Sequence, residues 1–516
     1  MSDFHVYDTT LRDGAQQEGL NLSVADKLAI ARQLDALGVG YIEGGWPGAN
    51  PKDTEFFQRA RTELKLEHAQ LAAFGATRRA GLKAADDPLI AALRDSGAGV
   101  VTLVAKSHDR HVELALRTTL EENLAMIRDT VTHLRAEGQR VFLDAEHFFD
   151  GYRANRAYAL EVLRTATEAG ADVVALCDTN GGMLPTWVAD VVHDVVEATG
   201  AKVGIHCHND TGCAVANSLA AVDAGATHVQ GTVNGYGERT GNADLIAVVA
   251  NLELKLGRSV LPDGSLREAT RTAHAIADVT NVPPASRQPY VGSSAFAHKA
   301  GLHASAIKVD PDLYQHMDPL GVGNDMRLLV SDMAGRASIE LKGRELGFEL
   351  DAALARRVTD RVKELESRGY TFEAADASFE LLLLEEVEGA RPSYFDVESW
   401  RVISDHAGLT EATVKIVADG VRFVVTDEGN GPVNALDRAL RAAIEQAFPE
   451  VQQFELTDYK VRLFDEGHGT NAKTRVLIET SDSDGSWVTV GVGENVIEAS
   501  WEALVDGLTF GLRRHR

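Results

Sequence analysis

The sequence predicts a (β/α)8 barrel that is followed by a helical connector and a C-terminal α/β domain with an internal repeat. Eight short apolar or β-branched runs recur in the first half of the chain, and each precedes an amphipathic helical stretch. Eight β/α units within about 250 residues are typical of a closed parallel barrel, with a doubly wound open sheet as the alternative. The runs span residues 4–9, 41–44, 71–74, 100–104, 141–143, 173–176, 203–205 and 228–233.

The first unit shows how each helix is recognised. Ser23 followed by Asp26 matches a helix N-cap, and the helical pattern ends at Gly38. Between them lies an apolar stripe with helical spacing, formed by Leu28, Ala31 and Leu34. The segment therefore predicts a helix between the first two strands.

Polar residues collect directly after the predicted strands, which is where barrel enzymes carry their reactive groups. A purely structural sequence would place turn or small residues there, and for Glu43 alone a structural role is equally consistent. The residues are Arg12, Asp13, Glu43, Ser107, His111, Glu146, Asp178, Thr179, His206, His208 and the segment 234–242. This concentration predicts an active site at the C-terminal rim, and His111 is expected to contact substrate.

His206 and His208 predict a metal site, because residues two apart on a strand point to the same face. Asp13 supplies an oxygen ligand, and water, substrate or the amide of Asn242 fills the remaining positions. Mixed nitrogen and oxygen ligands suit Mg, Mn or Zn, and the spacing does not choose among them. Arg12 can stabilise negative charge on a substrate oxygen at this metal, with an ordinary ion pair as its alternative role.

Composition limits the possible partners. The 516 residues carry a formal net charge of -26, which argues against nucleic acid or an anionic membrane as a ligand. A signal peptide and a membrane-spanning run are not recognisable, so a cytoplasmic location is expected. Cys177, Cys207 and Cys213 have no CxxC spacing and predict reduced thiols.

The organisation changes after the barrel, and three segments are predicted. Residues 1–260 form the catalytic barrel, residues 261–395 a helical connector, and residues 396–516 the C-terminal domain. In that domain a hairpin leads into a glycine-rich turn at Gly429, and a second hairpin leads into another at Gly491. Each turn precedes a helix, with Pro432 suited to the first helical turn. Two such units would bury their apolar faces together or across a dimer.

Three motifs together resemble the DRE-TIM metallolyase superfamily, in particular its acetyl-CoA-condensing branch of 2-isopropylmalate, homocitrate and citramalate synthases. They are DTTLRDGAQ at 8–16, GIHCHND at 204–210 and TVNGYGERTGN at 232–242. Two further segments extend the similarity through nearly the whole chain: AEHFFDGYRAN around Glu146, and residues 293–319.

The resemblance implies roles for individual residues. The metal ligands would be Asp13, His206 and His208, with Asn242 nearby or acting through water. Thr179 would hold the carboxylate of a 2-oxo acid, and Arg12 would polarise its ketone. Glu146 would orient or activate water and the acyl group near the metal. His303 and Tyr314 match residues that reach over a neighbouring active site in a homodimer as acid and base partners. Acetyl-CoA would be the co-substrate.

The acceptor acid is inferred from differences within this branch. The stretch YIEGGWPGANPKDTEFF at 41–57 most resembles bacterial citramalate synthases, which implies pyruvate as acceptor and a role in isoleucine biosynthesis. Ala15 and the run 179–181 depart from the Glu and TVG common in leucine-pathway members, which weakens 2-isopropylmalate synthase as the alternative. A lyase or aldolase of the superfamily is a further alternative, although those generally lack a C-terminal repeat domain. An amino-acid-binding regulator on an inactive barrel is the non-enzymatic alternative.

The last segment resembles the regulatory domain of these synthases, in which an end-product amino acid binds at the dimer interface. Isoleucine is the expected effector and leucine the alternative. A dimerisation module without an effector would also account for the pattern.

Overall fold

The computed structural model describes residues 4–331, 333, 335–406, 408–463 and 472–516. The chain divides into two compact units. One consists of Met1–Phe296 with Met317–Asp325, and the other of Ala297–His316 with Met326–Arg516. The division into segments 1–260, 261–395 and 396–516 stays a prediction. Within the described residues, we find no helix with the length and apolar character to span a membrane.

The first unit contains a closed barrel of eight strands in sequence order. Strand β1 pairs with β8 in parallel, with His5 opposite His228 and Asp8 opposite Gly231. This pairing closes the sheet, so the barrel prediction is confirmed and the open-sheet alternative is wrong. The strands are β1 His5–Asp8, β2 Tyr41–Gly45, β3 Gln70–Ala76, β4 Val100–Lys106, β5 Arg140–Glu146, β6 Val173–Asp178, β7 Val203–Cys207 and β8 His228–Gly231.

Helices surround the strands and bury their apolar stripes against the outside of the barrel. In the first helix, Ser23 Oγ accepts from the Asp26 amide at 3.2 Å, and Asp26 Oδ2 accepts from the Ser23 amide at 2.8 Å. Gly38 ends it with a φ of 92°. The helices of this unit are α1 Val24–Leu37, α2 Pro51–Glu63, α3 Pro88–Arg94, α4 Asp109–His111, α5 Leu120–Ala136, α6 Phe148–Ala154, α7 Arg156–Ala169, α8 Pro185–Thr199, α9 Ala214–Asp223, α10 Leu245–Leu254 and α11 Ala269–Thr280.

The inside of the barrel has two kinds of layer. Towards the N-terminal ends of the strands, aromatic side chains fill the space, including Tyr41 and Phe142 with ring centroids 5.3 Å apart. Towards the C-terminal ends, buried polar side chains such as Glu43 and Gln230 take their place. Buried polar groups require partners, so the polar layer at the C-terminal ends of the strands indicates a functional site.

The second unit contains helices and two three-stranded antiparallel sheets. Each sheet is followed by one helix. The sequence predicted a two-stranded hairpin in each copy of the repeat, and the structure adds a third strand to each. Strand β13 ends at Gly429 and strand β16 at Gly493, so the equivalent of Gly429 is Gly493 and not Gly491. The elements are β9 Ala297–His298, α12 Gly301–Ile307, β10 Arg327–Leu328, α13 Arg336–Glu345, α14 Ala352–Ser367, α15 Asp376–Glu388, β11 Phe395–Ser404, β12 Thr410–Ala418, β13 Val421–Gly429, α16 Pro432–Ile444, β14 Glu455–Leu463, β15 Thr474–Asp482, β16 Gly485–Gly493 and α17 Val496–Arg514.

Candidate metal centre and active site

Asp13, His206 and His208 form a buried cluster at the C-terminal rim of the barrel. Asp13 Oδ2 lies 3.3 Å from His206 Nε2 and 3.8 Å from His208 Nε2. The two Nε2 atoms are 3.4 Å apart, and all three potential ligand atoms lie within 4.8 Å of one another. One divalent ion could therefore contact one carboxylate oxygen and two imidazole nitrogens together.

Asp13 reaches the cluster through a tight turn after β1. The Thr9 carbonyl accepts from the Arg12 amide at 3.1 Å and from the Gly14 amide at 3.0 Å. Buried Asp8 braces the start of this turn, because its carboxylate accepts from the Thr10 amide at 2.9 Å and the Thr10 hydroxyl at 2.8 Å. The turn therefore holds Arg12 and Asp13 in fixed positions at the end of the strand.

Burial raises the pKa of Asp8 to about 7, although the hydrogen bonds from Thr10 oppose the rise. Ionisation of Asp8 therefore costs more in the folded than in the unfolded chain. The free energy of unfolding is expected to fall as pH rises from about 4 to about 7 and to lose this dependence above pH 7. In Asp8→Asn this contribution disappears, so between pH 5 and 7 wild type should lose about 2 kcal/mol relative to the variant. Urea unfolding at both pH values measures this, and parallel pH curves would contradict it.

Arg12 is clamped beside the cluster from two directions. Its Nε donates to Glu43 Oε2 at 2.6 Å, and its Cζ lies 3.9 Å from the ring centroid of Phe74. Glu43 is itself held by the hydroxyl of Tyr7 at 2.8 Å. Arg12 Nη1 lies 3.3 Å from Asp13 Oδ2. Glu43 therefore orients the guanidinium of Arg12. The position of Glu43 at a strand end does not by itself indicate this role.

The charges in the cluster favour a bound cation. Burial raises the pKa of Asp13, but Arg12 and His206 outweigh it and hold that pKa below its usual range. Burial lowers the pKa of His206, and the nearby Asp13 carboxylate outweighs this to give a net rise. Burial and the neighbouring His206 lower the pKa of His208 to about 4. An ionised carboxylate beside a neutral imidazole is the form that binds a metal.

One unpartnered polar atom also fits a metal ion. Asn242 Oδ1 is buried and has no hydrogen-bond partner among the described residues. The loop carrying Asn242 depends on glycine, since Gly241 has a φ of 84° and a Cβ there would lie 1.9 Å from a backbone carbonyl oxygen. The side-chain nitrogen Nδ2 of Asn242 donates to the Tyr236 carbonyl at 3.0 Å, which leaves Oδ1 available to a metal ion. Its role as a ligand stays a prediction.

A cavity of about 710 Å³ opens above the cluster. Its wall combines charged groups with apolar side chains, and it includes three further residues expected from the sequence: Arg12, Glu146 and Thr179. Lys106, which no sequence signal indicated, also lines this cavity, and its Nζ forms an ion pair with Glu146 Oε2. Lys106 ends β4 beside Glu146 at the end of β5, and this register is visible only in the folded barrel.

Thr179 is fixed by contacts from two neighbouring loops. Its hydroxyl oxygen accepts from the His147 amide at 2.9 Å, and its carbonyl accepts from Arg239 Nη2 at 2.8 Å. Arg239 also pairs with Asp210 at 2.8 Å; it lies in the rim segment 234–242, although the sequence gave it no specific role. The rings of His111 and His147 have centroids 4.1 Å apart and planes tilted by 53°, and burial together with His108 lowers the pKa of His111. A substrate contact of His111 stays a prediction.

His303 and Tyr314 belong to the second compact unit. Their rings stack with centroids 4.1 Å apart, and Tyr314 is 40% exposed. The structure therefore brings these two residues together. Their action at a neighbouring active site stays a prediction.

The C-terminal part of the second unit contains another cavity of about 710 Å³ at the first glycine-rich turn. Its wall contains both apolar side chains and the Asp437–Arg441 ion pair, at 2.7 Å. The lining residues are Asn430, Gly431, Pro432, Val433, Asn434, Asp437, Arg441, Phe454, Glu455, Leu456 and Tyr459.

Comparisons with known proteins agree with this architecture. The HMGL-like family profile matches residues 3–276, the homocitrate synthase post-HMGL domain-like profile 290–370, and the LeuA allosteric (dimerisation) domain profile 373–512. The chain is 69% identical to an (R)-citramalate synthase from Streptomyces coelicolor, over 99% of this chain and 97% of that protein. The chain belongs to the (R)-citramalate synthase family.

Other relatives show the breadth of this family. The chain is 49% identical to an (R)-citramalate synthase of Aquifex aeolicus, over 99% of this chain and 98% of that protein. It is 34% identical to a protein of Methanopyrus kandleri described as a probable 2-isopropylmalate synthase, over 99% of each chain. The family membership inferred from the three sequence motifs is therefore confirmed, and so is an allosteric-type C-terminal domain.

Proposed function

We propose that this protein condenses acetyl-CoA with pyruvate and water to form (R)-citramalate and CoA. The buried cluster of Asp13, His206 and His208 beside Arg12 carries the proposal, because a candidate metal site and a fixed cation lie in one cavity. Full-length identity with (R)-citramalate synthases supports pyruvate as the acceptor. The reaction requires a proton acceptor, stabilisation of a developing alkoxide, and hydrolysis of a thioester.

Asp13, His206 and His208 would hold a divalent cation, and Asn242 would complete or approach its ligand shell. Such an ion supplies Lewis-acid polarisation of the ketone when bound. Arg12 acts beside it. Burial lowers the pKa of its guanidinium, but Glu43 and Asp13 raise it above the usual value, so Arg12 stays charged. Arg12 can thus donate to the acceptor oxygen as negative charge grows there.

Thr179 would bind the carboxylate of the acceptor. Its hydroxyl oxygen already accepts a hydrogen bond from the His147 amide, which leaves the hydroxyl proton to donate. A carboxylate oxygen is a suitable acceptor for that proton. Arg239 holds the Thr179 backbone, so the hydroxyl is oriented before substrate arrives.

Glu146 and Lys106 form another part of the cavity wall. Their ion pair places a carboxylate and an ammonium at neighbouring strand ends. We assign Glu146 to orienting the water that hydrolyses the thioester. The proton transfers on the acetyl group and the product belong, in this proposal, to His303 and Tyr314.

The test is an acceptor panel. Protein with acetyl-CoA and Mg²⁺ or Mn²⁺ is incubated with pyruvate, 2-oxobutyrate, 2-oxoisovalerate or 2-oxoglutarate, and free thiol is followed. Pyruvate is expected to give the highest kcat/KM, with citramalate as the product. Preference for 2-oxoisovalerate would overturn pyruvate as the acceptor, and thiol release with none of the four would reject the synthase.

We also propose that the protein is a homodimer that binds isoleucine in the C-terminal cavity. A free amino acid needs an anion for its ammonium group, donors for its carboxylate, and an apolar surface for its side chain. Asp437 and Arg441 offer the charges, and Val433 and Leu456 offer apolar surface. The LeuA allosteric (dimerisation) domain in the same segment supports this assignment.

Isoleucine is expected to raise the melting temperature and to inhibit thiol release, with leucine weaker in both effects. Asp437→Asn should weaken the response to isoleucine without changing activity in its absence, since Asp437 lies in the C-terminal cavity. Thermal shift and activity titrations on the same samples measure both effects. A protein that responds to neither amino acid would have a dimerisation module only.

A further inference from the structure

A buried glutamine connects the candidate metal cluster to the interior of the barrel. Gln230 lies on β8 directly opposite His206 on β7 in the strand register, and it is fully buried. Its Oε1 lies 2.9 Å from His206 Nδ1. Its Nε2 lies 2.8 Å from Asp144 Oδ1 and 3.3 Å from His228 Nε2. Every polar atom of this amide therefore has a neighbour.

The neighbours permit one orientation of the amide. An amide nitrogen has two protons to donate, and the Asp144 carboxylate can accept one of them. Burial and the adjacent His5 lower the pKa of His228 far below its usual value, so its ring is neutral and Nε2 can accept the other. The amide oxygen must then face His206. An amide oxygen only accepts, so His206 must carry its proton on Nδ1.

We propose that Gln230, held by Asp144 and His228, is a positioning residue that fixes His206 as the Nδ1–H tautomer. This tautomer leaves the Nε2 lone pair directed towards Asp13 and His208, where a metal ligand is needed. The inference rests on the proposed function, because it concerns the metal that this function requires. Histidine ligands depend on such outer partners for ring orientation and basicity.

The two histidines of the cluster differ in this respect. His208 Nδ1 is buried without a hydrogen-bond partner among the described residues, so no comparable group sets its tautomer. Among the described residues, Gln230 is therefore the side chain that orients a histidine ligand of this cluster. Loss of Gln230 leaves both rings free to place a proton on Nε2, which excludes that nitrogen from a metal.

The test measures Mn²⁺ affinity of the metal-free full-length protein by competition with a chelating dye. Gln230→Leu removes the acceptor and is expected to weaken Mn²⁺ binding by about 10- to 100-fold. Asp144→Asn preserves volume, but its new amide can donate to Gln230 Oε1 and allow the glutamine to turn over. It is expected to weaken binding in the same direction, and it serves if Gln230→Leu does not fold.

Asn251→Leu is the matched control, because it also replaces a hydrogen-bonded side-chain amide with leucine. Asn251 lies on helix α10, and its Oδ1 accepts from the Tyr290 hydroxyl at 3.0 Å. The control variant should lower stability and leave Mn²⁺ affinity at the wild-type value. Folded Gln230→Leu or Asp144→Asn with wild-type affinity would overturn the role of Gln230. Failure of the proposed function is distinct, because wild-type protein would then bind no Mn²⁺ or release no thiol with any acceptor.

Discussion

Asp13→Ala is expected to lose metal binding at the cluster and to reduce pyruvate-dependent CoA release by about 10³-fold or more. The substitution removes the one anionic ligand and leaves His206 and His208 beside the positive charge of Arg12. Two neutral imidazoles hold a divalent ion much less tightly than a site that includes a carboxylate. Metal content after dialysis and thiol release at increasing Mn²⁺ measure the two effects.

The control is Asp35→Asn, which changes a buried carboxylate at the other end of the barrel. Asp35 accepts from the backbone amides of residues 67, 68 and 69, directly before β3, so its loss should lower stability alone. Asp35→Asn should keep wild-type metal content and activity once folded. Full activity of Asp13→Ala at saturating Mn²⁺ would sink the assignment of the cluster.

Arg12→Lys is expected to lower kcat by about 10²- to 10³-fold, with a smaller effect on the KM for pyruvate. The guanidinium combines a hydrogen bond to Glu43 at 2.6 Å with stacking on Phe74 at 3.9 Å. A lysine ammonium has no planar fork and cannot satisfy both contacts while also donating to the acceptor. Steady-state kinetics with pyruvate as the variable substrate separate the two parameters.

Arg140→Lys provides a like-for-like comparison, because Arg140 also places its guanidinium near aromatic rings. It lies 5.6 Å from the Tyr41 centroid and 5.2 Å from that of Phe142, at the start of β5 and thus at the N-terminal end of the barrel. This variant should retain wild-type kcat. Equal losses in both variants would mean that Arg12 serves packing and not the reaction.

The barrel and the metal cluster could be predicted because their signals are local. The strand ends follow from short apolar runs, and the HxH spacing places His206 and His208 on one face. Asp13 could be added since all strands of such a barrel end at the same rim. The three residues do lie together, so rim position was enough to group them.

The contacts that support the reactive groups could not be predicted because their signals are not local. Glu43 and Gln230 face Arg12 and His206 only after the strands take their register in the closed sheet. No sequence signal gave Lys106 or Arg239 a specific role, because exposed cations are common both at strand ends, where Lys106 lies, and in loops, where Arg239 lies. The second copy of the C-terminal repeat was aligned two residues too early, with Gly491 in place of Gly493 opposite Gly429. The two glycine-rich turn sequences can be aligned in more than one way.

The bracing of Arg12 and His206 from inside the barrel has an evolutionary consequence. Glu43 and Gln230 are fully buried, and they support the reactive groups from below. Apolar parts of the cavity wall come from other elements, including Val104 on β4 and Met126 on α5. Mutations in those walls can accumulate while the reactive groups keep their alignment. A lineage with this barrel can therefore explore new acceptor acids one wall residue at a time, without first losing its chemistry.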